Sequence, residues 1–126
     1  MAKLLNLKTF TDARGNLTVV DKAFDFDIKR VFYIYGVDDS IRGRHRHKKT
    51  IQAAVCIQGS CRILNDDGEG NLEAFLLDNP SKCMIIEPKD FHQMDSFTPD
   101  AILMVFASEH FDAADYIHTP YETTNF

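Results

Sequence analysis

The chain has 126 residues, a net charge of −5 and 44% hydrophobic content, enough for one domain with a buried core. The acidic balance argues against nucleic acid as a partner, because duplex binding calls for a broad basic face. No apolar run reaches the roughly 18 residues of a membrane span, and the first residues lack the apolar stretch of a leader peptide. Cys56, Cys61 and Cys83 have no CxxC spacing and read as reduced thiols packed as small hydrophobes in a cytoplasmic protein.

In chain order, short strands alternate with turn signals, and no repeat or linker divides a single domain over 1–126. Thr11-Asp12-Ala13-Arg14-Gly15-Asn16-Leu17 is a tight turn leading into a short strand at Leu17–Val20. Taken alone, Arg14 is a solvated turn arginine. Lys29–Tyr35 is a strand bearing Arg30, Phe32, Tyr33 and Tyr35. Arg30, like Arg42 further on, is suited to forked pairing with phosphate oxygens, or to a surface ion pair. The aromatic residues fill a core or stack on a flat base.

A long strand is predicted over Gly43–Ile57, followed by Ser60–Asn65, Leu72–Leu77, Lys82–Glu87 and Ala101–Ser108. Turns fall at Gln58-Gly59, Asp66-Asp67-Gly68, Asp78-Asn79-Pro80 and Thr98-Pro99-Asp100. Val55-Cys56-Ile57 and Ile102–Phe106 are apolar on both parities, so they belong inside a sandwich or under a partner subunit. Asp112–Ile117 predicts a short helix capped by Asp112, and Thr119–Phe126 a loosely held tail. This much apolar strand surface predicts self-association, most simply as a two-fold dimer.

The chemistry concentrates in Arg42-Gly43-Arg44-His45-Arg46-His47-Lys48-Lys49. In a strand, His45 and His47 share one face, and Arg42, Arg44 and Arg46 share the other. Continuing the parity puts Ile51, Ala53, Val55 and Ile57 on the histidine face, an apolar interior where an unpartnered imidazole is costly. A third histidine follows on a later strand, in Pro88-x-x-x-His92. A histidine pair, a glycine turn and P-x-x-x-H together resemble the layout of a cupin, a double-sheet jelly roll. Metal-binding cupins add an acidic residue, whose place Gln52 takes here with the wrong parity and a weaker ligand atom. Three histidines can still hold zinc or iron. Without a metal, two histidines suit proton transfer near neutrality. The remaining reading is a set of hydrogen-bonded core histidines, and His110 and His118 are read as structural.

Arg42-Gly43-x-His45-x-His47-Lys48-Lys49, Gln58-Gly59-Ser60-Cys61-Arg62 and Pro88-x-x-x-His92-x-Met94 look like the sugar-nucleotide 3,4-ketoisomerases. So do Asp12-x-Arg14-Gly15-x-Leu17, Lys29-Arg30-Val31-x-Tyr33, Ala107-Ser108 and Asp112-x-x-Asp115-Tyr116-Ile117. The resemblance implies an all-β cupin-type jelly roll that uses no cofactor or metal and forms a homodimer with an exchanged N-terminal strand. It implies a shift of the ketone of dTDP-4-oxo-6-deoxy-α-D-glucose from C4 to C3 through an enediol. On that basis His47 is the main acid/base and His45 its partner at the enediol oxygens. Arg42 and Arg30 are the candidates for the diphosphate, and Tyr33 or Tyr35 for the thymine or sugar. Arg14 paired with His92 resembles the type that makes the 3-oxo-6-deoxy-galactose product, a precursor of 3-acetamido-3,6-dideoxygalactose in surface glycans. The family usually has phenylalanine and alanine where this chain has Arg44 and Arg46; the expectation is a changed surface charge only.

Four alternatives stand beside this reading: the gluco product of the same reaction, a metal-dependent dioxygenase-type cupin, a non-catalytic nucleotide-sugar-binding module, and an epimerase acting at C3 or C5.

Overall fold

The computed structural model describes residues 2–126. Its strands are β1 (Lys3–Asn6), β2 (Lys8–Asp12), β3 (Gly15–Val19), β4 (Arg30–Ile34), β5 (Arg42–His47) and β6 (Gln52–Gln58). They continue with β7 (Cys61–Asp66), β8 (Leu72–Leu77), β9 (Lys82–Ile86), β10 (Phe91–Asp95), β11 (Ile102–Ala107) and β12 (Tyr116–Ile117). One sheet has the order β1-β9-β6-β11-β4 and a second the order β12-β5-β10-β7-β8, while β2 and β3 form a separate ribbon. Among the described residues, no helix is long and apolar enough to cross a membrane.

The two five-stranded sheets pack face to face as a cupin-type jelly roll because alternate residues of each are apolar. Ala54, Cys56, Met84, Ile86, Leu103 and Val105 from the first sheet meet Cys61, Ile63, Phe75, Leu77 and Met94 from the second in one core. The other face of the first sheet carries a second cluster: Ala53, Val55, Cys83 and Ile85 lie under Val20, Phe24 and Phe26. The three cysteines are free and buried.

Most predicted strands are present, but the Gly43–Ile57 run is two strands in different sheets. After His47 the polar residues Lys48 to Thr50 carry the chain across the sandwich, with His47 N donating to Pro88 O at 2.8 Å. That crossing resets the parity. Ala54 and Cys56 face the interior with Gln52, whereas Ala53, Val55 and Ile51 face the outer cluster. Gln52 therefore does point inward, contrary to the alternation extrapolated from the histidines.

The simple alternation of the three arginines also fails. Gly43 (φ +84) and Arg44 (φ +58) form a bulge that pairs His45 with His92 but Arg42 with Met94. Two residues of β5, Gly43 and Arg44, oppose the single Gln93 of β10, so Arg42 returns to the histidine parity. A side chain at Gly43 would crowd His92 O at 3.2 Å.

The C-terminus is anchored, not loose. Tyr121 Oη donates to Lys89 O at 2.7 Å, and the Thr123 and Thr124 hydroxyls donate to Asp66 at 3.2 and 2.5 Å. The short helix is present as one 3-10 turn, Ala113–Asp115, capped by Asp112, and it leads into β12. The strands β1 and β2 were not anticipated. β1 pairs with β9 of the same chain.

Candidate active site

Four strands change character within two residues along their inward faces. Ile63 gives way to Asn65 on β7, Met94 to His92 on β10, Ala54 to Gln52 on β6, and Phe32 to Arg30 on β4. The register aligns these changes. Asn65, His92 and His45 form one row across the second sheet, and Gln52, Ala107 and Arg30 one row across the first. One end of the sandwich is therefore apolar and the other polar.

Three imidazoles line the polar end. His45 is central, with ring centroids 4.9 Å from both His47 and His92; His47 and His92 are 6.1 Å apart. His47 is 3% exposed and His92 0%. His92 is fixed by its turn. Its Nδ1 lies 3.0 Å from Asp90 O, and a carbonyl oxygen only accepts, so Nδ1 carries the proton and Nε2 is a bare lone pair. Asp90 itself accepts from Asn65 Nδ2 at 3.0 Å and Glu87 N at 2.8 Å, bracing the Pro88–Asp90 turn.

Burial, first of all, pushes His45, His47 and His92 down to about 4. Mutual repulsion adds to this: His92 acts on His45, and His45 and Arg30 act on His47, where Asp115 opposes it. All three rings are thus neutral near pH 7, the form that accepts a proton.

Several polar atoms here are buried without a hydrogen-bond partner among the described residues: both nitrogens of His47, Nε2 of His92, Nε of Arg30, Oε1 of Gln52 and Oδ1 of Asn65. Burying such atoms costs about 1–3 kcal/mol each, so their grouping at one end marks a place built to receive a polar ligand. Among the described residues, no group of three or more His, Cys, Asp or Glu side chains is arranged to hold a metal ion. The His45 ring stands at 79° to that of His47 and at 76° to that of His92.

Of the residues singled out from the sequence, His45, His47, His92 and Arg30 come together. Arg42 lies apart, exposed at the start of β5 beside the loop bearing Asp38. Tyr33 and Tyr35 are on the far face of β4, 58% and 68% exposed with rings 5.8 Å apart. Strand parity turns them away from the histidine cluster. Arg14 sits at the tip of the β2–β3 ribbon, its side chain 90% exposed and paired with Asp12 at 2.6 Å; it too is outside the histidine cluster.

Sequence reasoning missed the C-terminal contribution. Tyr116 pairs with His47 across β12 and β5, and its ring lies 4.8 Å from His45 and 4.7 Å from His47. His118, read as structural, lies 6.0 Å from His45. Phe111 lies 5.7 Å from Tyr116 and under the Arg30 guanidinium at 5.6 Å. The signal was the Asp115-Tyr116-Ile117 run, an aromatic inside a polar, turn-rich stretch.

The chain is similar to known proteins over most of its length. The family model FdtA: WxcM-like, C-terminal, matches residues 1–125. The chain is 40% identical over 118 residues to the TDP-4-oxo-6-deoxy-alpha-D-glucose-3,4-oxoisomerase of Aneurinibacillus thermoaerophilus, covering 91% of this chain and 84% of that one. Two solved structures from Campylobacter jejuni are similar. The TDP-quinovose 3,4-ketoisomerase WlaRB has a TM-score of 0.89 and 38% identity, covering 94% of this chain and 92% of its own. The TDP-fucose-3,4-ketoisomerase WlaRA has a TM-score of 0.86 and 36% identity, covering 94% and 89%.

Proposed function

The chain belongs to the FdtA-like family of sugar-nucleotide 3,4-ketoisomerases and is an isomerase, and we propose that its substrate is dTDP-4-oxo-6-deoxy-α-D-glucose. The observation that carries this is the neutral His45–His47 pair at the polar end of the sandwich, with both nitrogens of the buried His47 left without a partner among the described residues. A neutral imidazole takes the proton from C3 while the C4 carbonyl oxygen gains one, giving the 3,4-enediol. Loss of a proton from the C3 oxygen and addition of one at C4 completes the shift, with no net change in protons or electrons. His47 is assigned the acid/base role and His45 the enediol oxygens. A positioned base supplies about 10²–10⁴ in rate. Arg30, facing His47 with an Nε unpartnered among the described residues, is assigned to the anionic part of the substrate, and so is Arg42, which is exposed and apart from the cluster.

The product is proposed to be the 3-oxo-6-deoxy-galactose sugar, on the pairing of Arg14 with His92. Overall likeness does not choose, since the fucose-type and quinovose-type relatives are about equally similar. Arg14 can meet His92 only across a dimer. In support of one, a cavity of about 620 Å³ lies between the β2–β3 ribbon and Val55, Met104 and Phe106 of the first sheet's outer face. Phe10 and Leu17 on the ribbon, and Val31, Tyr33, Tyr35 and Ile57 on the sheet, are exposed beside it. A second copy covering this surface would let the ribbon carry Arg14 toward the partner's histidines. A 3-aminotransferase and an N-acetyltransferase would then act on the product.

Proton NMR of the substrate incubated with enzyme and a chelator tests the reading. The expected result is a 3-oxo species which, trapped by a 3-aminotransferase, shows galacto configuration at C4. A gluco product would overturn the stereochemical assignment, and an unchanged substrate the activity.

A further inference from the structure

β5 carries both histidines of the proposed proton-transfer pair, yet one side of it is covered only by the two residues of β12. Without that cover it would be a bare sheet edge. The C-terminal segment grips it from both faces. Asp115, buried, accepts from Lys48 N at 3.1 Å, from Lys49 N at 2.8 Å and from the Thr50 hydroxyl. These groups directly follow His47, so their anchoring fixes the end of the strand. On the outer face Arg46 lies over the Tyr121 ring at 4.4 Å. Arg44 donates to Gln93 Oε1 at 2.6 Å and to Phe126 O at 2.8 Å. The two arginines therefore hold the tail, beyond changing surface charge. A methyl group at Gly68 would fall 2.6 Å from Tyr121 Cζ, so the tail is closely seated.

On the inner face the same segment delivers Tyr116. Its ring meets His45 and His47 nearly edge-to-face, at 64° and 65°, and is braced by Phe111 at 5.7 Å and by His118, stacked at 6.2 Å. Neither nitrogen of His47 has a hydrogen-bond partner among the described residues. No polar contact orients that imidazole, so packing must, and Tyr116 supplies the nearest aromatic contact.

We propose that Tyr116 is a positioning residue for the isomerisation: its ring, seated by the C-terminal grip on β5, sets the orientation of both imidazoles and excludes water from them. The inference rests on His45 and His47 being the proton-transfer pair. The ring carries the role, and the hydroxyl does not. Groups facing the pair include His92 on β10, Arg30 on β4, and Asp115 and His118 on the C-terminal segment; none of these is removed by changing Tyr116.

The test compares Tyr116→Phe with Tyr116→Leu, reading steady-state kinetics and NMR titration of the imidazoles in the substrate-free enzyme. Tyr116→Phe is expected to stay within about 3-fold of wild type. Tyr116→Leu should lose about 10-fold or more in kcat with KM little changed, as for an interaction that acts through geometry. Its His45 and His47 midpoints should rise from about 4 toward the ordinary 6.5 as water enters. Should Tyr116→Leu not fold, the unbranched Tyr116→Met gives the same comparison. Wild-type kcat and unmoved midpoints in the aliphatic variant would overturn the role. A Phe variant as slow as the Leu variant would overturn the assignment to the ring. The titrations need no substrate, so their outcome stands apart from whether the wild-type enzyme converts the proposed sugar.

Discussion

The two ends of the sandwich use the same strands to opposite purposes. At one end Ile63, Leu77, Met84, Leu103 and Val105 fill the space between the sheets with side chains that have nothing to satisfy. At the other, His45, His47, His92, Asn65, Gln52 and Arg30 share that space, most of them with an atom unpartnered. Neither end explains the other's energetics. The apolar end stabilises the fold by burial, about 25 cal/mol per Å², and that gain offsets the cost of keeping the polar end in a state that only a ligand can complete.

Exchanging one side chain at each end separates the two purposes most strongly. His47→Asn or His45→Asn should cut turnover by about 10²–10⁴-fold while the denaturation midpoint holds or rises, because a desolvated ring is lost, at His47 one with both nitrogens unpartnered among the described residues. Parallel assays and urea melts check this. Leu103→Ala, at the dry end, should do the reverse: about 2–5 kcal/mol of stability lost, with kcat near wild type below the melting transition.

A smaller effect sharpens the picture of the polar end. Arg30→Gln removes a positive charge that disfavours protonation of His47. The His47 titration should move up, and kcat/KM should fall about 10–100-fold if the guanidinium meets an anionic group. An unchanged kcat/KM would take Arg30 out of the site.

A fourth effect is on pH dependence. The three buried histidines titrate in the folded protein at about 4, below the ordinary 6.5. Between those values the unfolded chain holds protons the folded one does not, so stability should fall as pH drops from about 6.5 to 4. Each ring that follows this shift contributes at most about 1.4 kcal/mol per pH unit in that window. Melting curves across the window check it, and replacing His92 with a neutral residue should flatten the slope.

The polar end was legible from the sequence only in part. The spacing of His45 and His47 on a strand, and His92 after a proline-marked turn, put three imidazoles together before any coordinates. Strand alternation carried that far because it is local. It failed at Lys48–Thr50, where the chain changes sheets and the parity restarts, and at Gly43–Arg44, where a bulge adds a residue. Gln52 and Arg42 were misplaced for those two reasons. Tyr33 and Tyr35 needed the knowledge of which face of β4 looks inward, and an aromatic run with both parities filled does not encode it. The tail, Thr119 to Phe126, reads as loose from the sequence because chain ends are poorly ordered unless tied down. What anchors it is long-range: Asp66, Lys89 and Arg44 lie far off in sequence.

The most direct test of the central claim, that the buried neutral histidine pair moves the sugar's protons, is the incorporation of solvent deuterium at C4 by wild type, His45→Asn, His47→Asn and the double variant. Each protein would be checked for a native melting curve. The account predicts rapid deuterium entry with wild type, a large loss in either single variant, and no further loss of comparable size in the double variant, since the two rings act as one unit. Deuterium entering at the wild-type rate in the double variant would contradict the account and move the chemistry away from this end of the sandwich.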